Sequence, residues 1–504
     1  MKLKNKFACL SMRFSDYAAA LFQQEINCEK NRLNSQSAWS SFKTILKLDA
    51  VVISLLLAAC AVGPDYVAPK PNLPQQWHNS TEPTQTLNKK ALARWWTTFN
   101  DPQLAKLIEQ GINGNFDLKN ALARINEARA RRGIAKADFY PKINSSGAAG
   151  ETYNGTVDQR NPRYALGLDA SWEIDLFGRI ARSVESTQAT LEATEAGYQD
   201  VLVSLCAEVA LNYVQMRTSQ AQLKVAEQNI QAQTEIYQLA LWRWQSGLAD
   251  KLDAEQALSS VEQLTAQLPT LKTNIAQNQH QIAVLLGLAP ASLNAQLNND
   301  KNIPRTDLKI AIGVPADVLR QRPDIQRAER ELAGQTAQIG VATAEQYPKL
   351  TLSGTIGLEA IKASNLFSTA GLIDSLLGKL TFPIFNAGQI KENIAVQNAK
   401  QQQALAAYEA TVLTALKDVE NALVGIAQEQ QRLQALAQAA ATAQSAMSLA
   451  KTQYESGLTE FLNVQQTQRT LLSLQEQYIG SQGQLSLYVI SLYKALGGGW
   501  KSLA

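Results

Sequence analysis

Two histidines in 504 residues, four cysteines without a CxxC pair and no apolar run of bilayer length set the first limits on this chain. His78 and His280 stand far apart, with no cysteine or acidic cluster at ligand spacing around either, so no metal centre is expected. Nothing in the sequence assembles an acid–base or nucleophilic constellation, and an enzyme is not the expected reading. Cys9, Cys28, Cys60 and Cys206 are too scattered for a disulfide framework. Gly497-Gly498-Gly499 follows a helical pattern, not a strand, and reads as a terminator instead of a phosphate loop. The formal charge of +3 is concentrated at the start, where residues 1–59 carry eight Lys/Arg against Asp16, Glu25, Glu29 and Asp49. The remainder is close to neutral and has no basic patch to hold phosphates, which excludes nucleic acid as a partner.

The uncharged run Ala50–Val62 is 13 residues long, short of the ~20 that cross a bilayer as a helix. Preceded by Lys43 and Lys47, it has the form of a signal-peptide apolar segment. Small Ala58 and Ala59 give a peptidase access to the backbone, and the Cys60 thiol supplies a nucleophile for acylation. Residues 1–59 are therefore assigned to an N-terminal extension and lipoprotein signal, with a covalent lipid on Cys60 and no other cofactor. Cys206 lies instead on an apolar helical stripe and reads as core.

What is abundant is Gln, Ala and Leu, and the chain repeats itself. A shift of 207 residues lays Tyr140-Pro141-Lys142 on Tyr347-Pro348-Lys349. A shift of 210 lays Ser246-Gly247-Leu248 on Ser456-Gly457-Leu458 and Leu286-Gly287 on Leu496-Gly497. Tyr198, Leu202, Cys206, Val209, Tyr213 and Met216 form one helical stripe, and adding 210 gives Tyr408, Val412, Leu416, Val419, Leu423 and Ile426. Between Gly178 and Gly247 there is no proline and one internal glycine, which predicts a helix of about 65 residues and ~100 Å. Gly388–Gly457 repeats it. Each helix should reverse at its Ser-Gly-Leu turn into a returning helix, Leu252–Leu286 and Phe461–Leu496, the first kinked or interrupted at Pro269.

After each Tyr-Pro-Lys the periodicity changes to two. Candidate strands are Ile143–Glu151 and Tyr164–Glu173, with Asn154-Gly155 and Asn161-Pro162 placed in the loop between them, then Leu350–Leu358 and Leu376–Ile384 around a loop at Ala363–Gly371. Nine or ten residues suit a tilted membrane strand. Four strands cannot close a barrel, and an open edge in lipid strands its backbone groups. Two copies would supply eight strands and three copies twelve, and the strand pattern does not choose.

The chain resembles the TolC-like outer membrane efflux proteins, in particular their NodT-type lipoprotein branch. The landmarks are Cys60-Ala-Val-Gly-Pro-Asp-Tyr66, Trp95-Trp96-Thr-Thr-Phe99-Asn-Asp101-Pro102, Asp175-Leu176-Phe177-Gly178-Arg179, Arg322-Pro323-Asp324-Ile325 and Tyr493-Lys494-Ala495-Leu496-Gly497-Gly498-Gly499-Trp500. The resemblance implies a mainly α fold with a transmembrane β-barrel. Duplicated long helical hairpins build a periplasmic α-barrel, and a homotrimer pools four strands per chain into a 12-stranded barrel. It divides the chain into an extended segment 60–102, a first repeat 103–287 with strand pair 143–173, an equatorial segment 288–319, a second repeat 320–496 with strand pair 350–384, and a tail 497–504.

By the same resemblance the chain is the outer membrane exit duct of a tripartite pump, partnered by a periplasmic adaptor and an RND-type inner-membrane transporter, and it passes small toxic compounds or drugs passively. Ala61, rather than Asp, after the lipidated cysteine fits delivery to the outer membrane and contact with its lipid. Gly247, Leu248, Gly457 and Leu458 become candidates for adaptor docking. Leu462, Asn463, Gln466 and Arg469 fall on the family's periplasmic gate, where the acidic positions are here amides, so less sensitivity to divalent cations is expected. The alternatives are the duct of a type I protein secretion system, or a coiled-coil periplasmic lipoprotein that is not a channel. The second leaves the matched strand pairs unexplained.

Overall fold

The computed structural model describes residues 61–70, 77, 92–299, 301–306 and 316–499. Contacts separate Met1–Cys60 from Ala61–Ala504, and all described residues belong to the latter unit. Cys60, and with it the lipidation reading, lies outside the described residues.

The duplication is visible element by element. In the first repeat α1 (Pro102–Gly114) and α2 (Phe116–Ala137) lead into β1 (Lys142–Asn154) and β2 (Gln159–Ile174). Then come α3 (Arg179–Gln245) and the returning α4 (Lys251–Leu285). The second repeat gives α5 (Pro323–Ala344), β3 (Lys349–Ala360), β4 (Leu372–Thr381), α6 (Gln389–Glu455) and α7 (Phe461–Ala495). The long helices are 67 residues each and the returning ones 35 each. Both long helices start from a left-handed glycine, Gly178 (φ 79°) and Gly388 (φ 86°), conformations that a side chain would strain. Pro269 does not interrupt α4, so of the kink or interruption expected from the sequence the interruption is absent. It removes only one backbone donor, and the packing of α4 along α3 carries the helix through it.

The predicted stripe is core where the helices meet the equatorial segment: Cys206, Val209, Tyr213 and Met216 are fully buried, and Val412, Val419, Leu423 and Ile426 nearly so. Burial pushes the Cys206 thiol up to about 12, so it stays protonated and inert. The equatorial segment is fixed by Arg217, itself wholly buried. Its guanidinium donates to the Asn299 carbonyl (2.7 Å) and to Gln103 Oε1 (2.9 Å) and stacks on the Tyr213 ring (4.9 Å). The glycine tail closes over Trp95, which stacks on Tyr493 with centroids 5.2 Å apart, and Gly497 (φ 72°) ends α7 as a terminator.

Residues 61–66 form a strap at the junction of helices and sheet. Val62 N–H donates to the Phe177 carbonyl (3.1 Å). Arg182 donates to Val62 O (3.2 Å) and to Asp65 Oδ1 (2.7 Å). Gly63 and Gly340 approach so closely that a Cβ on Gly63 would stand 2.4 Å from Gly340 Cα. Only a pair of glycines permits that crossing.

The four strands form one antiparallel sheet in the order β1-β2-β3-β4. They are longer or shifted relative to the sequence expectation. β2 begins at Gln159, so Asn161 and Pro162 lie in the strand, paired with Thr152 and Glu151, and the turn is confined to residues 155–158. Pro162 is tolerated because β3 pairs with β2 only from Tyr164 onward. At Pro162 the strand has a neighbour on one side only, and its missing donor breaks no second ladder. β4 runs Leu372–Thr381, four residues earlier than expected at its start, because Leu358 of β3 draws Leu372 into register.

Candidate functional site

Register sorts the sheet into two chemical faces. Directly paired residues share a face. One row set joins Leu166 to Leu358 and Leu372, Ala170 to Gly354 and Leu376, and Trp172 to Leu352 and Gly378. The alternate set joins Asn144 to Asp169, Thr355 and Ser375, and Ser171 to Ser353. Over β2 to β4 from Tyr164 onward the first face is apolar with Asp374 as its only charge, while the second carries Ser146 donating to Asp169 Oδ2 (2.8 Å) and Thr355 bonded to Ser375 (2.6 Å). An apolar face towards lipid and a polar face towards water is the arrangement of a membrane pore. Within the chain β1 and β4 each keep an unpaired edge.

At the other end of the hairpins both Ser-Gly-Leu turns close alike. Leu248 N–H reaches the Arg243 carbonyl (2.8 Å) and Leu458 N–H the Gln453 carbonyl (2.8 Å), with Gly247 at φ 73° and Gly457 at φ 72°. This six-to-one bond ends a helix and requires the left-handed glycine. The following leucines are 69% and 79% exposed, too open to serve the fold alone. Asp250 caps α4 by accepting from Leu252 N–H (3.1 Å), whereas Glu460 in the second copy caps nothing with its side chain.

Leu462, Asn463, Gln466 and Arg469 are all exposed on α7, while Phe461, Val464, Gln465 and Gln468 face inward. Leu462, Gln466 and Arg469 follow helical spacing on one face. Asn463 turns aside and donates to Thr459 Oγ1 (2.8 Å). Among the described residues, the side chains of Gln466 and Arg469 make no hydrogen bond or ion pair within the chain. Amides at these positions accept cations only weakly, because they offer dipoles in place of charges. Conductance of the native protein should persist in millimolar divalent cation, and Gln466→Asp should make it collapse; block of both proteins alike would contradict the assignment. Planar-bilayer recording decides.

Sequence reading missed the residues that tie the two hairpins together. Arg243, in the last turn of α3, donates to the Tyr454 carbonyl (2.7 Å) at the end of α6 and lies 4.7 Å from the centre of the Tyr454 ring. A Cβ on Gly457 would be 3.8 Å from its Nη2. Arg243 therefore satisfies a helix-terminal carbonyl of the other repeat, where the helix dipole favours a cation. Tyr454 packs edge-on against Phe461 at 5.6 Å, and both are buried with Ile236, Ala254, Met447 and Leu471 in a separate core. Burial raises the Asp253 carboxyl above its ordinary range, Asp250 adds to the rise and Arg243 opposes it. Burial also raises the Tyr454 phenol, helped by the charge of Asp253. An exposed bridge from Lys451 to Glu235 (3.2 Å) joins the hairpins too, but such pairs contribute little. The available signal was a cation in a last helical turn; its partner lay 211 residues away.

The family model described as outer membrane efflux protein matches residues 107–288 and 314–498, one span for each repeat. The chain is 32% identical over 464 residues to Nodulation protein T of Rhizobium leguminosarum bv. trifolii, covering 90% of this chain and 97% of that protein. It is 30% identical over 472 residues to the antibiotic efflux pump outer membrane protein ArpC of Pseudomonas putida, covering 91% and 96%. The solved structure of the outer-membrane channel OprN superposes with a TM-score of 0.83 at 35% identity, over 88% of this chain and 100% of that one.

Proposed function

The chain belongs to the outer membrane efflux protein family, and from that premise we propose how this duct is built and partnered. It is an outer membrane channel of a tripartite efflux system, with its strands in the membrane and its helical hairpins in the periplasm. Three copies pool their strands into one 12-stranded barrel, a periplasmic adaptor engages the tips at Gly247, Leu248, Gly457 and Leu458, and an RND-type transporter drives small toxic compounds through. Leu462, Asn463, Gln466 and Arg469 line the periplasmic gate. Cys60 carries the lipid, an aid to delivery and assembly, since one acyl chain binds a membrane only marginally beside a whole barrel.

The single observation that carries this reading is the two-faced sheet with both edges unpaired, because lipid tolerates such a sheet only when other copies close it. The duplication also points to where those copies meet. α5 packs extensively on both α3 and α6, whereas among the described residues its counterpart α2 packs extensively only on α3. Shifted by 207, the small residues Ala337, Gly340 and Ala344 of α5 become Ala130, Gly133 and Ala137 of α2. Gly340 is pressed against Arg182 of α3, where a Cβ would stand 2.8 Å from its Cγ, but nothing lies within 4 Å of a Cβ on Gly133. Exposed Ile134 on α2 and Val396 and Leu413 on α6 complete the pattern. The vacant slot on α2 takes α6 of the next copy.

Deletion of the chain should raise intracellular accumulation of several compounds in a broad toxicity panel, and the tagged protein should retain an adaptor in pulldown. Unchanged accumulation of every compound would count against an efflux role.

A further inference from the structure

Strand register places charges as well as polarity on the sheet. Lys142 is paired with Ser171, Lys379 with Thr351 and Thr351 with Glu173, so all lie on the polar face with Asp169, Thr355 and Ser375. Lys349 stands two residues before Thr351 and shares that face. Most of these charges are compensated inside the chain. Lys142 Nζ lies 2.9 Å from Asp138. Arg179 donates to Glu173 through two bonds of 2.9 Å, and at the outer end Arg163 does the same to Glu359. The second repeat breaks the pattern. Shifted by 207, Asp138 and Lys142 become Glu345 and Lys349. Glu345, however, accepts from Asn393 (3.5 Å), and Asp175 is engaged at the start of α3, where it accepts from Ala181 N–H (2.8 Å). Among the described residues neither Lys349 nor Lys379 makes a hydrogen bond or an ion pair. Both sit at the end of the sheet next to the helices, where β3 begins and β4 ends. Asp169, bonded to Ser146, is the remaining uncompensated carboxylate of the strands' polar face. Its row meets β4 at Ser375, four residues or about 13 Å from Lys379. β1, which closes on β4 of the next copy in the proposed barrel, has no acidic residue on this face.

We propose that Lys349 and Lys379 of the three copies form a cationic ring at the helix-side mouth of the barrel, which makes the duct prefer anionic solutes to cationic ones. The inference rests on the exit-duct reading and adds the charge class of the cargo. Rings of lysine or arginine are what select anions in pores. A free ammonium on a flexible stem stays hydrated and attracts a carboxylate as a point charge, without the two-pronged grip of a guanidinium, so an anionic solute is drawn in and still released. A barrel of twelve strands is narrower than a porin of 16–18. Since the Debye length is about 8 Å at physiological ionic strength, charges on its wall act across much of the lumen. Asp169 stands further than that from Lys379 along the strand, and its field does not cancel the ring. The lysines are brought to one level only by the pairing of β3 with β4.

The test reads charge selectivity in the full-length protein. In planar bilayers under a potassium chloride gradient, the reversal potential should show chloride permeating about threefold more readily than potassium. Lys349→Glu with Lys379→Glu should turn the preference about as far towards potassium, with the trimer unchanged on native gels. A native channel that prefers potassium, or does not discriminate, would overturn the ring while leaving the duct intact. So would a chloride preference that the assembled double variant keeps, because the selectivity would then arise elsewhere. A native protein that forms no channel would overturn the duct reading and the ring together. Should the double glutamate variant not assemble, Lys349→Gln with Lys379→Gln decides: loss of the chloride preference supports the ring, and an unchanged preference refutes it.

Discussion

Replacing Ala130 and Ile134 together by glutamate should leave a folded chain that no longer forms trimers. Both positions are exposed within the chain, so the substitutions cost the isolated fold little. In the proposed trimer they occupy the slot whose in-chain counterpart, around Ala337 and Gly340, meets α3, with Gly340 at Arg182. A carboxylate buried there without a partner costs about 3–5 kcal/mol, and the penalty recurs at every interface of the ring. Native gels should show the protein as monomer, and efflux should fall to the level of the deletion strain because an unclosed sheet cannot remain in lipid. Ala130→Ser is the control and should assemble normally. Intact trimers of the double glutamate variant would move the interface away from α2.

Arg243→Ala should loosen the tip and raise basal conductance. The substitution removes a charge-assisted bond to the Tyr454 carbonyl and the stacking of the guanidinium on the ring. Those interactions contribute roughly 1.5–3 kcal/mol and about 0.5–2 kcal/mol. Since 1.4 kcal/mol is tenfold in an equilibrium, the open-to-closed ratio should rise between about thirtyfold and a few thousandfold. Exposed bridges such as Lys451 to Glu235 are too weak to compensate. Arg243→Lys keeps the charge without the planar fork and should fall between the two. Cells carrying Arg243→Ala should also become sensitive to large antibiotics that the closed duct excludes. Wild-type conductance from an assembled Arg243→Ala trimer would show that the hairpins are held by other contacts.

The proposed gate shows how far residue patterns reach. Leu462, Gln466 and Arg469 could be placed on one face by helical spacing, and the structure keeps them exposed together. Their neighbours Gln465 and Gln468 look the same in sequence, yet they are buried. Glutamine suits a solvated face or a polar interior, and only the position of α3 and α4 distinguishes the two. The strap is a similar case. Gly63 and Gly340 are unremarkable residues far apart in the chain until their backbones cross.

The sequence by itself determined the duplication, the four long helices and the two reversing turns, because each rests on local chemistry. Runs free of proline and glycine continue a helix, and a glycine able to turn left-handed ends it. It also determined that strand pairs exist, from a period of two between turn residues. Tertiary structure decided where the strands begin and end, since pairing partners draw Gln159–Arg163 and Leu372–Ile373 into the sheet against local turn preference. It decided that Pro269 stays within a helix, because packing along α3 outweighs one lost bond. It also decided which arginine joins the hairpins, for Arg243 acts on carbonyls of the other repeat and no local rule pairs residues 211 positions apart.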